Sequence, residues 1–383
     1  MKLRLFLSVA AISAVLAGAG RVESSRRPRY GGTMRVEIGA VIHSLDPAGA
    51  AADAEEAAAK DEIGALLYDQ RNADGSFAGV AGSGAFHIAQ WESGKRLTLA
   101  ANENVRGGRA FVDEIEIQMG RSAKERLLDL ETGAADFAEI PPEEARRATE
   151  RGMRVSASKP EELVALAFTA GRPVSEEAGA REAVSRSIDR SAIVNFILQK
   201  EGAPAGGLLP QWSSGTAFLF PTAADAAGAK ELWAQIAGSP RVALGYDAGD
   251  SLSEAIAERI AVNARDAGIT LTTEAIPANA APGSYDARLV RLRMKSAKPY
   301  DALLGFIAAL APATGIDTSP LPSSATAEQI YGRERDIVSS YRVVPIVWLP
   351  RVYGLGARVR DWNPPAAGEG WPLADVWLEQ DAK

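Results

Sequence analysis

The acidic doublets Glu143-Glu144, Glu161-Glu162 and Glu176-Glu177 are the first residues whose type and spacing could do chemistry. Paired carboxylates serve as acid and base in glycoside hydrolysis, but neighbours on a helix diverge, so doublets of this kind are expected on solvated faces. Histidine offers less. His43 and His87 stand alone, with no H-x-x-x-H or H-x-H spacing for zinc and nothing around which to build a Ser-His-Asp triad. The chain has no cysteine, which removes thiol nucleophiles, disulfides and thiolate metal sites together. Gly82-Ser83-Gly84 supplies a G-x-G, yet no Gly-Lys-Ser or Gly-Lys-Thr follows and no third glycine falls at phosphate-loop spacing. No catalytic residue, metal or cofactor is expected.

The elements that would position a binding site are clearer than any catalytic motif. With 383 residues, 46% hydrophobic and 24% charged, the chain has the length of about two domains and an ordinary globular composition. Its net charge of -7 argues against general affinity for nucleic-acid phosphate, and the local run Arg26, Arg27, Arg29 reads as a solvated linker. Lys2 and Arg4, the apolar run Leu5 to Leu16 and Ala17-Gly18-Ala19 have the order of a secretory signal peptide over residues 1–19, with 20–29 as linker. The apolar run is too short and alanine-rich for a comfortable membrane span. No cysteine follows Leu16-Ala17-Gly18, so a lipid anchor is not expected and the mature chain is placed free in the periplasm.

Around Arg181 to Pro210 the apolar phase shifts at Asp189, which predicts two short helices, the second capped by Asp189 and ended by glycine and proline after Lys200. Arg241 to Ile276 predicts a βαβ unit: strand Val242 to Tyr246, a capping box Ser251 to Glu254, a helix with Ile256, Ile260, Ala264 and Ala267 on one face, Gly268 as its stop, and a strand from Ile269. Ligands commonly sit beyond the carboxyl ends of such strands, which directs attention to Tyr246 and Asp247. Met34 to Ile38 alternates as a half-buried strand, Ala48 to Lys60 reads as a helix, Asn72 to Gly84 as a loop or hairpin, and Arg126 to Gly133 as a helix. Trp362, Trp371 and Trp377 read as packing of the tail.

Several of these stretches carry one family's landmarks. Arg181-Glu182-Ala183 with Ser187-Ile188-Asp189-Arg190 and Ile193, then Gly202-Ala203-Pro204-Ala205, resembles a segment of the extracytoplasmic solute-binding proteins, family five, of peptide- and nickel-type ABC importers. Tyr30-Gly31-Gly32-Thr33 followed by Ser44-Leu45-Asp46-Pro47, then Gly82-Ser83-Gly84-Ala85-Phe86, Trp91, Leu97-Thr98-Leu99, Asn102 and Val112-Asp113-Glu114-Ile115, resembles the opening of the same family. Three departures matter. Gly82 follows Pro47 too closely to hold the small extra domain that members carry there. Val105 stands where an aromatic residue is usual. Tyr300-Asp301 to Phe306 resembles the family's (F/Y)-D-…-G-W strand, but Phe306 replaces tryptophan and Ile307-Ala308-Ala309-Leu310 lacks the acid that receives a peptide's amino terminus, leaving Asp317 as the nearest later carboxylate.

The resemblance implies an α/β, two-lobed periplasmic-binding-protein-like fold of the second structural type, cluster C-like, with the extra domain largely missing. Residues 30–170 with 341–383 would form the first lobe and 171–340 the second. It also implies a monomeric binding protein, not an enzyme, that takes a small solute or short peptide between its lobes and delivers it to an ABC permease. Candidate ligand-binding residues are Leu45, Phe168, Trp212, Tyr246 and Phe306, an apolar and aromatic lining that favours an apolar or small ligand. The competing reading is a degenerate member that no longer transports and serves as a periplasmic interaction or structural module.

Overall fold

A computed structural model describes residues 27–46, 49, 51, 54–72, 76–105, 108–215, 220–277 and 285–379. The signal segment and most of the linker, Pro47, Asp74-Gly75 and Gly107 lie outside the described residues. Two sheets organise the rest. The first has seven strands in the order Phe86–Glu92, Arg96–Ala101, Glu114–Gln118, Thr33–Glu37, Phe137–Ile140, Val352–Leu355 and Arg154–Ala157. The second has six, in the order Ala203–Pro204, Val343–Leu349, Glu162–Phe168, Ala287–Arg293, Val242–Asp247 and Leu271–Ile276.

Strand character follows burial. Thr33–Glu37 lies parallel to Glu114–Gln118 and Phe137–Ile140, alternating inward Met34 and Val36 with Arg35. Glu162–Phe168 and Val343–Leu349 are buried along their whole length, as central strands covered on both faces must be. These two strands, expected in the first lobe, pair with one another in the second sheet. The chain therefore passes between the sheets at residues 158–161 and 350–351, not near 170 and 341, because the apolar runs Glu162–Phe168 and Val343–Leu349 pair side by side in the middle of the second sheet.

Helix ends follow local chemistry. Ser122 and Glu125 form a reciprocal capping box for Ala123–Thr132, which stops at Gly133 with φ of 73°. The Asp189 side chain accepts the Ala192 N–H and starts a new helical turn after Ala178–Ser187. In the βαβ unit, Asp250 rather than Ser251 is the cap, accepting the Leu252 and Ser253 N–H groups at 3.1 Å. The helix expected over Ala48 to Lys60 runs from Ala54 to Leu67.

The expected strand at Tyr300 is instead the helix Pro299–Thr314. Proline at its first turn, few β-branched residues and inward Ala302, Leu303, Phe306, Ile307 and Leu310 at helical spacing outweigh the strand-like resemblance.

Candidate functional site

The two crossings bring charge into the space where the sheets meet. Glu161 and Glu162 are consecutive at the start of a strand, so their side chains leave on opposite faces. Glu161 approaches Arg351 at 3.7 Å, and Glu162 accepts two hydrogen bonds from Arg291 at 2.8 and 3.2 Å. Both carboxylates are buried, contrary to the solvated face expected for the doublet, because the pair stands on a strand between the sheets rather than on a surface helix. Arg291 and Arg293 lie two apart on Ala287–Arg293 and share one face.

Arg351, on the second crossing, gathers three acids. It lies 2.6 Å from Glu62 of the Ala54–Leu67 helix and 2.9 Å from Glu139 of the Phe137–Ile140 strand, with Glu161 beyond. Arg293 reaches from the second sheet to Glu139 of the first at 3.2 Å and stands 4.0 Å from Glu162. Arg291 continues the belt to Asp250 at 3.2 Å. Five carboxylates, those of Glu62, Glu139, Glu161, Glu162 and Asp250, thus face the three guanidinium groups of Arg291, Arg293 and Arg351.

The excess of acid sets the protonation pattern. Burial pushes Glu62 up to about 7 against the field of Arg351, and pushes Glu161 to about 7 against Arg351 and Arg293. Burial would also raise Glu139, but Arg351 and Arg293 outweigh it and hold that carboxyl at about 2, with solvent at its exposed edge softening both influences. Glu162 stays low because Arg291 and Arg293 overcome its burial. Across the junction Glu143 is raised by burial, and its Oε2 has no hydrogen-bond partner.

Under the charges lies an aromatic floor. The Arg351 guanidinium sits 5.3 Å over the Tyr353 ring, which stacks on Phe137 at 5.6 Å and meets Trp362 edge-on at 4.9 Å. Trp371 packs against Phe137, and its backbone N–H donates to Glu62 at 2.8 Å. The site can recognise charge, and no cluster of His, Cys, Asp or Glu among the described residues could hold a metal ion.

The apolar residues predicted from sequence fall elsewhere and are not brought together. Phe168 is fully buried in the second-sheet core, and Phe306 packs on Trp348 at 6.1 Å in the core on the opposite face of that sheet. Neither can line an open cleft, because both are used as core. Leu45 leans on the first core, while Tyr246 leans on the second and donates its hydroxyl to Glu254 at 3.3 Å. Trp212 is 36% exposed beside the first crossing, donating its indole N–H to the Pro160 carbonyl at 2.8 Å, with Lys159 over its ring. Asp247 pairs with Arg288, and Asp317 is taken by Arg333 and Ser319. Glu139, Arg291, Arg293 and Arg351 were missed. Their signal is faint: Arg291-Leu292-Arg293, charge alternating with an apolar residue at the end of a strand that also carries Arg288.

The family's glycine turn has a local reason. Asn102 donates from its amide to the Gly82 and Gly84 carbonyls, both at 2.8 Å, and its Oδ1 lies 2.7 Å from His87 Nδ1. A side chain at Gly84 would bring Cβ within 2.6 Å of the Leu66 carbonyl oxygen.

Comparison with known proteins gives a consistent result. A family model described as bacterial extracellular solute-binding proteins, family 5, middle part, matches residues 48–309. The probable D,D-dipeptide-binding periplasmic protein DdpA of Escherichia coli is 26% identical over 233 residues, covering 58% of this chain and 45% of that protein. The oligopeptide-binding protein AppA of Bacillus subtilis is 22% identical over 125 residues, 32% of this chain and 23% of that protein. The matched region spans less than half the length of these relatives. Among solved structures, the periplasmic binding protein DppA of Helicobacter pylori in complex with a peptide superposes with a TM-score of 0.72 at 14% identity, over 92% of this chain and 99% of that one. The substrate-binding protein CtaP of Listeria monocytogenes gives 0.71 at 13% identity, over 91% and 100%. These likenesses show the two-lobed periplasmic-binding fold.

Proposed function

This chain belongs to the bacterial extracellular solute-binding proteins, family 5, and from that premise we propose that it captures a small solute carrying both charges, a short peptide or amino acid, between its lobes for delivery to an ABC permease. Arg293 with Glu139 carries the reading. The pair spans the lobes at 3.2 Å, and each side chain keeps about a third of its surface in solvent, 31% and 30%. A zwitterion can replace each half of that pair, carboxylate to Arg293 and ammonium to Glu139, at little net cost in paired charge. An apolar ligand could not. The mechanism is lobe closure, in which a solute shifts the balance only by its preference for one arrangement.

Residues 1–19 are proposed as the signal peptide of an extracytoplasmic protein, and among the described residues no helix is long and apolar enough to cross a membrane. Between Asp46 and Gly82 the described residues hold one helix and one antiparallel pair of two-residue strands, which supports loss of the extra domain.

The test is a thermal-shift and calorimetric screen of the purified mature chain against short peptides, amino acids, sugars and small aromatic acids. Saturable stabilisation by zwitterions supports the reading, since a ligand preferring the folded state raises the melting temperature by mass action. Stabilisation by neutral sugars or apolar acids alone overturns the proposed ligand class. A flat screen of a folded protein overturns solute capture and favours the interaction module.

A further inference from the structure

The tail makes an excursion that neither sheet requires. Trp362 is packed in the first core against Phe137 at 4.6 Å. The chain then runs through Asn363-Pro364-Pro365 and places Ala367 in a different core, the second-lobe cluster that includes Leu163 and Met294. It turns at Gly368 and returns, so that Trp371 is again in the first core. Both turning points fit closely. Gly368 has φ of 83°, and a side chain there would bring Cβ within 2.2 Å of the Lys295 carbonyl oxygen on the second lobe. At Gly370 a side chain would reach Ala65 Cβ at 2.1 Å on the first. Only glycine permits such backbone approach. Two consecutive prolines stiffen the outward limb, and the Trp371 N–H on Glu62 fixes the return to the Arg351 junction.

We propose that residues 363–370 are a strap, a third connection between the lobes beside the two crossings, whose docking of Ala367 and Gly368 on the second lobe limits how far the lobes part. The lobes swing fully open only when that turn undocks. The stiff outward limb makes docking nearly all-or-none, because prolines leave few intermediate conformations. Solute capture would then be linked to strap docking, but the strap itself rests on the two-lobed fold and not on any ligand.

The absence of native cysteine makes the test direct. Spin labels on Lys124→Cys, exposed in the first lobe, and Asp266→Cys, exposed in the second, report the interlobe distance in the full mature chain. The otherwise unmodified protein should give one narrow distance. Gly368→Val should add a second, longer population and increase the radius of gyration, while circular dichroism and a cooperative melt show an intact fold. Where Gly368→Val does not fold, Ala367→Gly removes only the docked methyl and should give the same longer population, with faster amide exchange at residues 294–296. Superimposable distance distributions in a folded variant overturn the strap. No ligand enters this measurement, so its failure is separable from failure of the solute-binding reading.

Discussion

Arg351 and Glu62 meet at 2.6 Å with 3% and 6% of their side chains exposed, one on the second crossing between the sheets and the other on a helix from the start of the fold. Neither charge could be buried alone, since an unpaired ion away from water costs several kcal/mol. Their meeting point is also where the tail returns, through the Trp371 N–H on Glu62. One ion pair therefore ties together three parts of the chain distant in sequence.

Arg351→Met removes the guanidinium that faces Glu161 and leaves Glu62 without its ion-pair partner. The expected loss is about 3–5 kcal/mol, the range for breaking a buried pair from one side. Urea unfolding at pH 7.5 measures it, and restoring neutrality with Glu62→Gln in the same chain should recover part of the loss. Simple additivity of the two substitutions would show that they do not interact.

Stability should rise as pH falls from 8 towards 5. Burial raises Glu62, Glu161 and Glu334 to about 7, so each favours the folded chain fully below the ordinary carboxyl value of 4.5 and loses that contribution as pH climbs through about 7. Glu139 acts oppositely, held near 2 and costing stability as pH drops below 4.5. A melting-temperature profile should therefore peak in mildly acidic buffer.

Glu334 allows that profile to be dissected. It is 2% exposed, has no ion-pair partner among the described residues, and accepts the Leu209 N–H at 2.8 Å. Glu334→Gln keeps an acceptor and removes the titration. It should match the parent at pH 5 and exceed it in melting temperature at pH 8; a variant less stable at both values would show that the ionised carboxylate is required.

Gly84→Ala should destabilise the fold by about 1–3 kcal/mol, because its Cβ would press on the Leu66 backbone carbonyl, which cannot turn away as a side chain can. Gly108→Ala at a positive φ of 106° meets nothing within 4 Å and isolates the cost of conformation from the cost of contact. Chemical denaturation of both variants separates the two effects.

Arg293→Ala should weaken binding of a zwitterionic solute by about 2 kcal/mol or more, roughly thirtyfold, by removing one charge of the exposed interlobe pair. Calorimetry provides the measurement. Unchanged affinity would move the ligand away from this pair.

The chain itself was informative wherever structure is local. Asp189 starts its helical turn and Gly133 ends its helix as expected, because a cap depends on residues three or four positions away. The βαβ unit was legible for the same reason, apart from a one-residue shift of its cap to Asp250. Family landmarks carried the two-lobed fold. Resemblance misled at Tyr300–Phe306, where it suggested a strand in a sequence whose alanine and leucine spacing is helical.

The binding surface was not local and could not be read in this way. Large apolar residues look alike in a core and in a cleft, so Phe168 and Phe306 were plausible ligand contacts until packing placed them inside. Charged residues look solvated until two crossings bury them. Glu62, Glu139, Glu161 and Arg351 are spread over nearly 300 positions, and no spacing rule links them. The sequence by itself determined the elements, their caps and the family. Only the tertiary structure decided which charges face one another, because pairing between distant segments depends on how two sheets and a returning tail close around them.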